Sequence, residues 1–196
     1  MKHLTLLLAL SFFALSLNAR DIIKDPEFKK KDKYWQLKVT SEYKSVKPKF
    51  KRGEVTFKIS HTSEHYYVSY VTEAPIKAGK TYQIRFKFKG EGQGKIYISQ
   101  RNYPNIFKGK RFDARKDKLI NLGLIQSFEP KAEWQQATCT FTAKENPQSQ
   151  LIEALMLMMG TYQGEVTFSD LSYVELKDSE ATPKEHTGNI EISPAK

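Results

Sequence analysis

The chain has few cysteines, few acidic residues and, after its first residues, no long apolar run. Cys139 is the only cysteine among 196 residues, so no disulfide can form within the chain. A membrane-spanning helix needs about 20 apolar residues, and no stretch after Leu17 offers them, so we predict no membrane span. Asp and Glu number 22 against 32 Lys and Arg, a formal net charge of +10 that favours acidic partners.

Signatures of common enzyme classes are also missing. The sequence has no serine-nucleophile elbow, phosphate-binding loop or dinucleotide fingerprint. His61 and His65 lie between two strand-like stretches, where their spacing has no fixed metal-binding geometry, and we interpret them as part of a polar loop. Cys139 falls on the apolar side of an alternating segment, which favours a small buried side chain over a nucleophile.

Met1–Ala19 has the features of a secretory signal peptide. Lys2 supplies a positive start, Leu4–Leu17 is largely apolar, and Ala19 ends a small-residue cleavage pattern. We therefore predict a secreted or periplasmic protein with one domain over residues 20–176. The polar residues 177–196 lack periodicity, which predicts a flexible tail.

The domain shows the alternation of apolar and polar residues that is typical of β-strands. In Thr81–Lys89, four large apolar side chains alternate with polar ones, and a second apolar layer is needed to cover them. Leu151–Gly160 is apolar throughout, and its short length between Pro147 and a glycine favours a buried strand over a helix. The other predicted strands are Ile22–Phe28, Tyr34–Val39, Val55–Ser60, Tyr66–Thr72, Gly94–Gln100, Trp134–Ala143, Val166–Ser169 and Leu171–Leu176. This pattern predicts an all-β antiparallel sandwich or jelly roll.

Two connections differ from ordinary turns. The glycines at 90, 92 and 94 precede a strand and predict a hairpin-like turn. Arg101–Lys131 is a long connection that contains the basic segment Lys108–Lys118, and connections of this length are typically functional or disordered.

Several short motifs recur in the order found in a known family. They are Asp25–Phe28, Ile76–Tyr82, Trp134, Phe141 and Phe168–Val174. The chain from Ile22 to Leu176 thereby resembles the galactose-binding-like β-sandwich carbohydrate-binding modules that are appended to cellulases and xylanases. The resemblance implies a sandwich in which Trp134 belongs to the core, and a polysaccharide or glycan as partner.

The resemblance also raises the question of a structural calcium ion. Family members often hold it with an acid just after the first phenylalanine and an aspartate in the last strand pair. Asp170 matches the second position, whereas Lys29 occupies the first and would repel the ion. Asp25 and Glu27 could compensate, and Asp170 could equally accept backbone hydrogen bonds in a turn. The candidate metal residues are Asp170 and Asp25, and we expect no cofactor.

Alternation also assigns the residues that face away from the predicted core. Aromatic rings and planar polar groups suit a sugar, which has apolar ring faces and polar rims. The candidate ligand-binding residues on the outward side of three strands and the following loop are Tyr67, Gln83, Arg85, Tyr97, Arg101 and Tyr103. An ordinary solvated sheet face gives the same pattern, and that alternative stays open.

These observations predict a noncatalytic carbohydrate-binding module with a preference for anionic glycans. One alternative is an extracellular or periplasmic interaction domain that contacts a cell surface or a partner protein and has no affinity for sugar. A jelly-roll polysaccharide lyase is a further alternative, since Arg, Gln, His and Tyr can neutralise an acidic sugar and transfer protons. The basic, aromatic surface also suits nucleic acid, but the predicted export argues against a specific nucleic-acid partner.

Overall fold

The computed structural model describes residues 21–113, 115–177 and 189–194, so the predicted signal peptide lies outside the described residues. The strands are β1 (Trp35–Val39), β2 (Lys49–Lys51), β3 (Glu54–Ile59), β4 (Val68–Glu73), β5 (Thr81–Gly94), β6 (Ile96–Tyr103), β7 (Asn121–Phe128), β8 (Gln135–Thr142), β9 (Ile152–Met158), β10 (Tyr162–Glu175) and β11 (Asn189–Pro194). One sheet has five strands in the order β1-β4-β9-β6-β7, and the other has six in the order β11-β8-β5-β10-β3-β2. All pairings are antiparallel, and the predicted all-β sandwich is confirmed. Within these ranges, no helix combines the length and apolar content that crossing a membrane requires.

The core between the sheets is built around the inward face of β5, as its alternation predicts. Tyr82, Ile84, Phe86 and Phe88 are each at most 1% exposed. The rings of Phe86 and Phe88 both lie 5.4 Å from the ring of Phe128 on β7, which belongs to the other sheet. Burial is likewise confirmed for Ile96, Ile98, Phe141 and Phe168. Cys139 is buried in the same core, which raises the pKa of its thiol to about 12 and confirms the structural interpretation.

Strand β9 is the predicted buried strand in the apolar run that follows Pro147. Leu155 and Leu157 join the core between the sheets, while Met156 and Met158 join a second apolar cluster on the other face of the same strand. Both faces of β9 are therefore covered, which explains why its sequence is apolar without alternation.

The glycines at 90, 92 and 94 do not form the predicted hairpin turn. Strand β5 continues through them to Gly94 and pairs with Tyr162–Val166 of β10. A Cβ at Gly92 would collide with the carbonyl oxygen of Gln163, so glycine serves here to let two backbones approach closely.

Two other strand predictions near the chain ends of the domain are wrong in detail. Ile22–Phe28 is not a strand: the segment turns, with Phe28 at φ 52°, and its buried residues, Ile23, Asp25 and Phe28, do not alternate regularly. The two predicted strands after residue 165 are one strand, β10, which contains an irregularity between Ser169 and Ser172.

The predicted flexible tail contains a strand. Asn189–Pro194 forms β11 and pairs antiparallel with β8 along the edge of the six-stranded sheet. Its six residues gain backbone hydrogen bonds from an existing edge, so they need no apolar periodicity of their own to be ordered.

The two tryptophans differ in their placement. Trp35 is fully buried and stacks on Tyr70 with 5.0 Å between ring centroids, as expected for a core residue. Trp134 is only half-buried, and Lys89 Nζ lies 4.7 Å from its ring centroid. The expectation that Trp134 belongs to the core is wrong, because Trp134 precedes the inward-facing Gln135 and so lies on the opposite, outward side.

Candidate functional site

Strand β6 carries three of the predicted site residues on its outward side. Ile96, Ile98 and Gln100 point into the core and are at most 1% exposed. Tyr97, Arg101 and Tyr103 alternate with them and are half-buried on the outer face of the five-stranded sheet. The outward orientation predicted for Tyr97 and Arg101 is confirmed, whereas Tyr103, predicted to lie in the following loop, belongs to the strand.

An apolar floor lies beside these residues. It consists of the buried residues Val71, Ala154, Met156 and Met158 from β4 and β9. Tyr97, Tyr103 and Ile106 pack against this floor, since β6 and β9 are neighbours and Tyr97 pairs with Met158. Methionine side chains are flexible and polarizable, so they adapt to irregular partners. The floor residues are at most 1% exposed, so the outer face here is an apolar platform in which Tyr97, Tyr103 and Ile106 pack over a buried floor, unlike an ordinary solvated face.

Arg101 is the charged group of this platform. Its Nε atom is buried and has no hydrogen-bond partner within the described part of the chain. Desolvation lowers the pKa of Arg101, partly offset by Tyr103, yet a guanidinium remains protonated at neutral pH. A buried donor without a partner carries a free-energy penalty of about 1–3 kcal/mol.

His65 and Tyr66 extend the platform and are not among the predicted site residues. The His65 ring lies 5.0 Å from the Tyr97 ring and 5.3 Å from the Tyr66 ring. Burial is the main cause that lowers the pKa of His65, and the nearby charge of Arg101 lowers it further. The imidazole is therefore neutral at pH 7. We call the surface formed by Tyr97, Arg101 and Tyr103 with His65 and Tyr66 the Arg101 face. The run of three adjacent ring residues at 65–67 is the sequence signal for this extension.

The predicted orientation of Tyr67 is wrong. Tyr67 packs against the core between the sheets, whereas Tyr66, which alternation assigns to the core, is 49% exposed. A 3-10 turn over His65–Tyr67 precedes β4, so the period of two begins only at Val68.

Gln83 and Arg85 belong to a different surface. Both lie on β5, in the six-stranded sheet, and face away from the core there. Gln83 Nε2 donates to Thr140 Oγ1 at 3.4 Å, and Arg85 is exposed between Thr138 and Ser172. The structure thus separates these two residues from the Arg101 face, because β5 and β6 are consecutive in sequence but lie in opposite sheets.

Comparisons with known proteins identify the fold. No family model matches the sequence, and no curated protein matches it. A solved CBM4 module superposes with a TM-score of 0.61 over 79% of this chain and 99% of its own, at 16% identity. The second N-terminal cellulose-binding domain of Cellulomonas fimi β-1,4-glucanase C has a TM-score of 0.58 over 80% of this chain and 95% of its own, at 14% identity. The fold is that of a carbohydrate-binding module.

A further solved structure supports the same conclusion. Another N-terminal cellulose-binding domain of that glucanase has a TM-score of 0.51 over 74% of this chain and 90% of its own, at 14% identity. These carbohydrate-binding modules therefore match this chain across nearly their whole length. Sequence identity this low establishes the shared sandwich fold and leaves the ligand to be argued from this chain's own residues.

The residues of this module fold do not fit the calcium ion that the family resemblance implies. Both carboxylate oxygens of Asp25 accept backbone N–H groups, from Lys29 at 3.0 Å and from Lys30 at 2.8 Å. Asp170 is exposed and lies 3.1 Å from Lys87 Nζ, while Lys29 pairs with Glu27. No group of three or more His, Cys, Asp or Glu side chains suited to a metal occurs in the described ranges.

We expect calcium to have no effect on stability. A ligand present at 100 times its dissociation constant would stabilise the fold by about 2.7 kcal/mol, so EDTA and millimolar calcium should give clearly different melting temperatures if the ion binds. Thermal unfolding should instead give the same midpoint in EDTA and in millimolar calcium. As a control, Asp25→Ala should lower the midpoint equally in both buffers, because the carboxylate caps backbone groups. A calcium-dependent rise that disappears in Asp25→Ala would contradict this expectation.

Proposed function

We propose that the protein is an exported, noncatalytic carbohydrate-binding protein whose glycan site is the Arg101 face. The observation that carries the proposal is the half-buried, partly desolvated guanidinium of Arg101 on the same outward side of β6 as two half-buried tyrosines. Export is part of the proposal on the strength of the signal-peptide pattern in Met1–Ala19. The module fold of the solved neighbours supports a polysaccharide as the ligand class.

The rings of the Arg101 face suit the apolar side of a sugar. Tyr97 and Tyr103 rest on the methionine floor, which limits their rotamers before any ligand binds. Tyr66 adds an exposed ring at one end, next to His65. An ordered tyrosine loses little conformational entropy on binding and provides both an apolar surface and a hydroxyl group.

The charge of Arg101 favours an anionic glycan. A uronate carboxylate or a sulfate group can accept two parallel hydrogen bonds from a guanidinium, and such bonds are stronger than those between neutral groups. His65 is neutral and Tyr103 is protonated at pH 7, so neither adds a negative charge that would repel the ligand. The net charge of +10 would further attract a polyanion over distance.

Tyr103 is unsuited to be the base of the lyase alternative, which leaves the neutral imidazole of His65 as the candidate base on this face. A lyase requires a base that removes a proton from the sugar ring. Burial raises the pKa of Tyr103 more than the charge of Arg101 lowers it, so its hydroxyl stays protonated at neutral pH. A protonated tyrosine donates a hydrogen bond to a ligand and does not abstract a proton.

Replacing Arg101 with glutamine tests the proposal. We expect a carboxylated or sulfated glycan, identified on a glycan array, to bind the variant roughly 10- to 150-fold more weakly, because a hydrogen bond to a charged group contributes about 1.5–3 kcal/mol. Arg101→Lys keeps the charge but loses the planar fork, so it should recover only part of the affinity. Calorimetric titration gives the affinities, and urea unfolding shows that each variant is folded.

Arg85 provides a matched control, since it is an exposed arginine on the other sheet. Arg85→Gln should bind the same glycan with unchanged affinity. Equal losses of glycan affinity in Arg101→Gln and Arg85→Gln would mean that binding reflects overall positive charge. Failure to bind any glycan at two salt concentrations would support the interaction-domain alternative, and release of unsaturated sugar products would support the lyase.

A further inference from the structure

A second cleft lies on the outer face of the six-stranded sheet, away from the Arg101 face. It encloses about 270 Å³, and Trp134 forms one of its walls. Lys87 and Asp170 also line the cleft, together with Arg52 from the turn that joins β2 to β3 and Glu54 from the start of β3. Neither the predicted site residues nor the proposed glycan site includes the tryptophan of this cleft.

The outward position of Trp134 follows from strand register. Gln135 pairs with Phe88, whose side chain points into the core. The residue before Gln135 therefore points outward, on the side of Lys87 and Lys89. The indole of Trp134 is thus half-buried on the outside of the sheet, where it lines the cleft.

The backbone around the cleft is strained in two places. Arg52 has φ 50° and Asp170 has φ 48°, in the left-handed region that glycine normally occupies. Asp170 lies at the irregularity of β10, which turns its carboxylate toward Lys87 Nζ at 3.1 Å. Strained residues of this kind persist where the surrounding structure fixes them, and they cluster at binding sites.

Charges of both signs line the cleft. Two cations, Arg52 and Lys87, lie with two carboxylates, Glu54 and Asp170. Adjacent donors and acceptors match the hydroxyl groups of a sugar, and a flat indole matches its apolar face. Each cation of the lining is matched by a carboxylate, which favours a neutral ligand in contrast to the Arg101 face, while Lys89 Nζ lies 4.7 Å from the indole centroid and is not part of that lining. The volume falls just below the usual range of about 300–1,000 Å³ for small-molecule pockets, which limits the ligand to about one sugar ring.

We propose that the Trp134 cleft is a second binding site that takes a single neutral sugar ring stacked on the indole. The site does not depend on the Arg101 face, because the two lie on different sheets. Simultaneous use of both would hold a polysaccharide more tightly than either site alone.

Tryptophan fluorescence tests the cleft directly in the full chain. Trp35 is fully buried, so a change in emission on adding sugar reports on Trp134. The probes are glucose, galactose, mannose and xylose, with glucuronate as the anionic comparison. Because one sugar ring offers few atoms for contact, we expect saturable changes with dissociation constants in the millimolar range for at least one neutral sugar. Arg101→Gln should give the same titration as the parent.

Two variants separate a binding role from a structural one. Trp134→Ala should abolish binding of the same sugar in ligand-observed NMR while the protein stays folded. Asp170→Gly relieves the left-handed strain, so it should leave the melting temperature unchanged or raise it, yet weaken sugar binding at least tenfold. The proposal is overturned if no neutral sugar changes the fluorescence, if glucuronate alone does so, or if Asp170→Gly binds as well as the parent.

Discussion

Replacing Phe86 with alanine should lower the free energy of unfolding by about 3–5 kcal/mol, the usual range for deletion of a core aromatic ring. Phe86 is 1% exposed, and its ring contacts Phe88 on the same strand, Phe168 on β10 and Phe128 on β7. The ring therefore joins the two sheets as well as filling space within one. Urea unfolding, with an unchanged dependence on denaturant, measures the loss.

Arg85→Ala is the matched control for this prediction. Arg85 lies on the same strand with its side chain exposed, and exposed substitutions usually change stability by less than about 0.5 kcal/mol. A loss below about 1 kcal/mol for Phe86→Ala would mean that the inward face of β5 is assigned incorrectly.

Among the substitutions proposed for stability, Gly160→Ala should have the second-largest effect. It should lower the free energy of unfolding by about 3 kcal/mol, at the upper end of the range for overpacking. A Cβ at this position would collide with the carbonyl oxygen of Glu64 and lie 3.2 Å from that of His65. Backbone atoms cannot rotate out of the way, so the loop before β4 must move. Since that loop holds His65 against Tyr97, we also expect weaker glycan binding.

Gly79→Ala is the control that separates the steric collision at Gly160 from backbone strain. Gly79 has φ 80°, and the methyl group of an alanine at this position would have no atom within 4 Å. The substitution should therefore lower stability by only about 1–2 kcal/mol, through strain, and leave glycan affinity unchanged. Equal stability losses and equal affinities in the two variants would contradict the proposed link between the loop and the Arg101 face.

Local alternation predicts the strands that carry the core and much of the site. The inward residues of β5 and β6, including Phe86 and Ile98, follow directly from a period of two. The same rule places Tyr97 and Arg101 outward. It works because each of these strands has one face on the core and one face outside it.

Alternation cannot report which sheet a strand joins. Arg85 and Tyr97 both face outward, but on opposite sides of the sandwich, because the chain crosses between sheets after Gly94. Long-range pairing decides that placement. Alternation misplaces Tyr66 and Tyr67 for a different reason, since a 3-10 turn resets the phase before β4. The family resemblance implies a core position for Trp134, and the register of β8 overrides it.

The strand Asn189–Pro194 has a consequence for the behaviour of the protein in solution. It occupies the edge of β8, whose residues are rich in threonine and therefore well suited to pairing with further strands. Without it, the backbone N–H and C=O groups of β8 would be open to the same strand of another molecule, which is a route to aggregation. The outermost strand ends at Pro194, which has no N–H to offer a newcomer. This short segment thus shields the edge of β8 from pairing with another molecule.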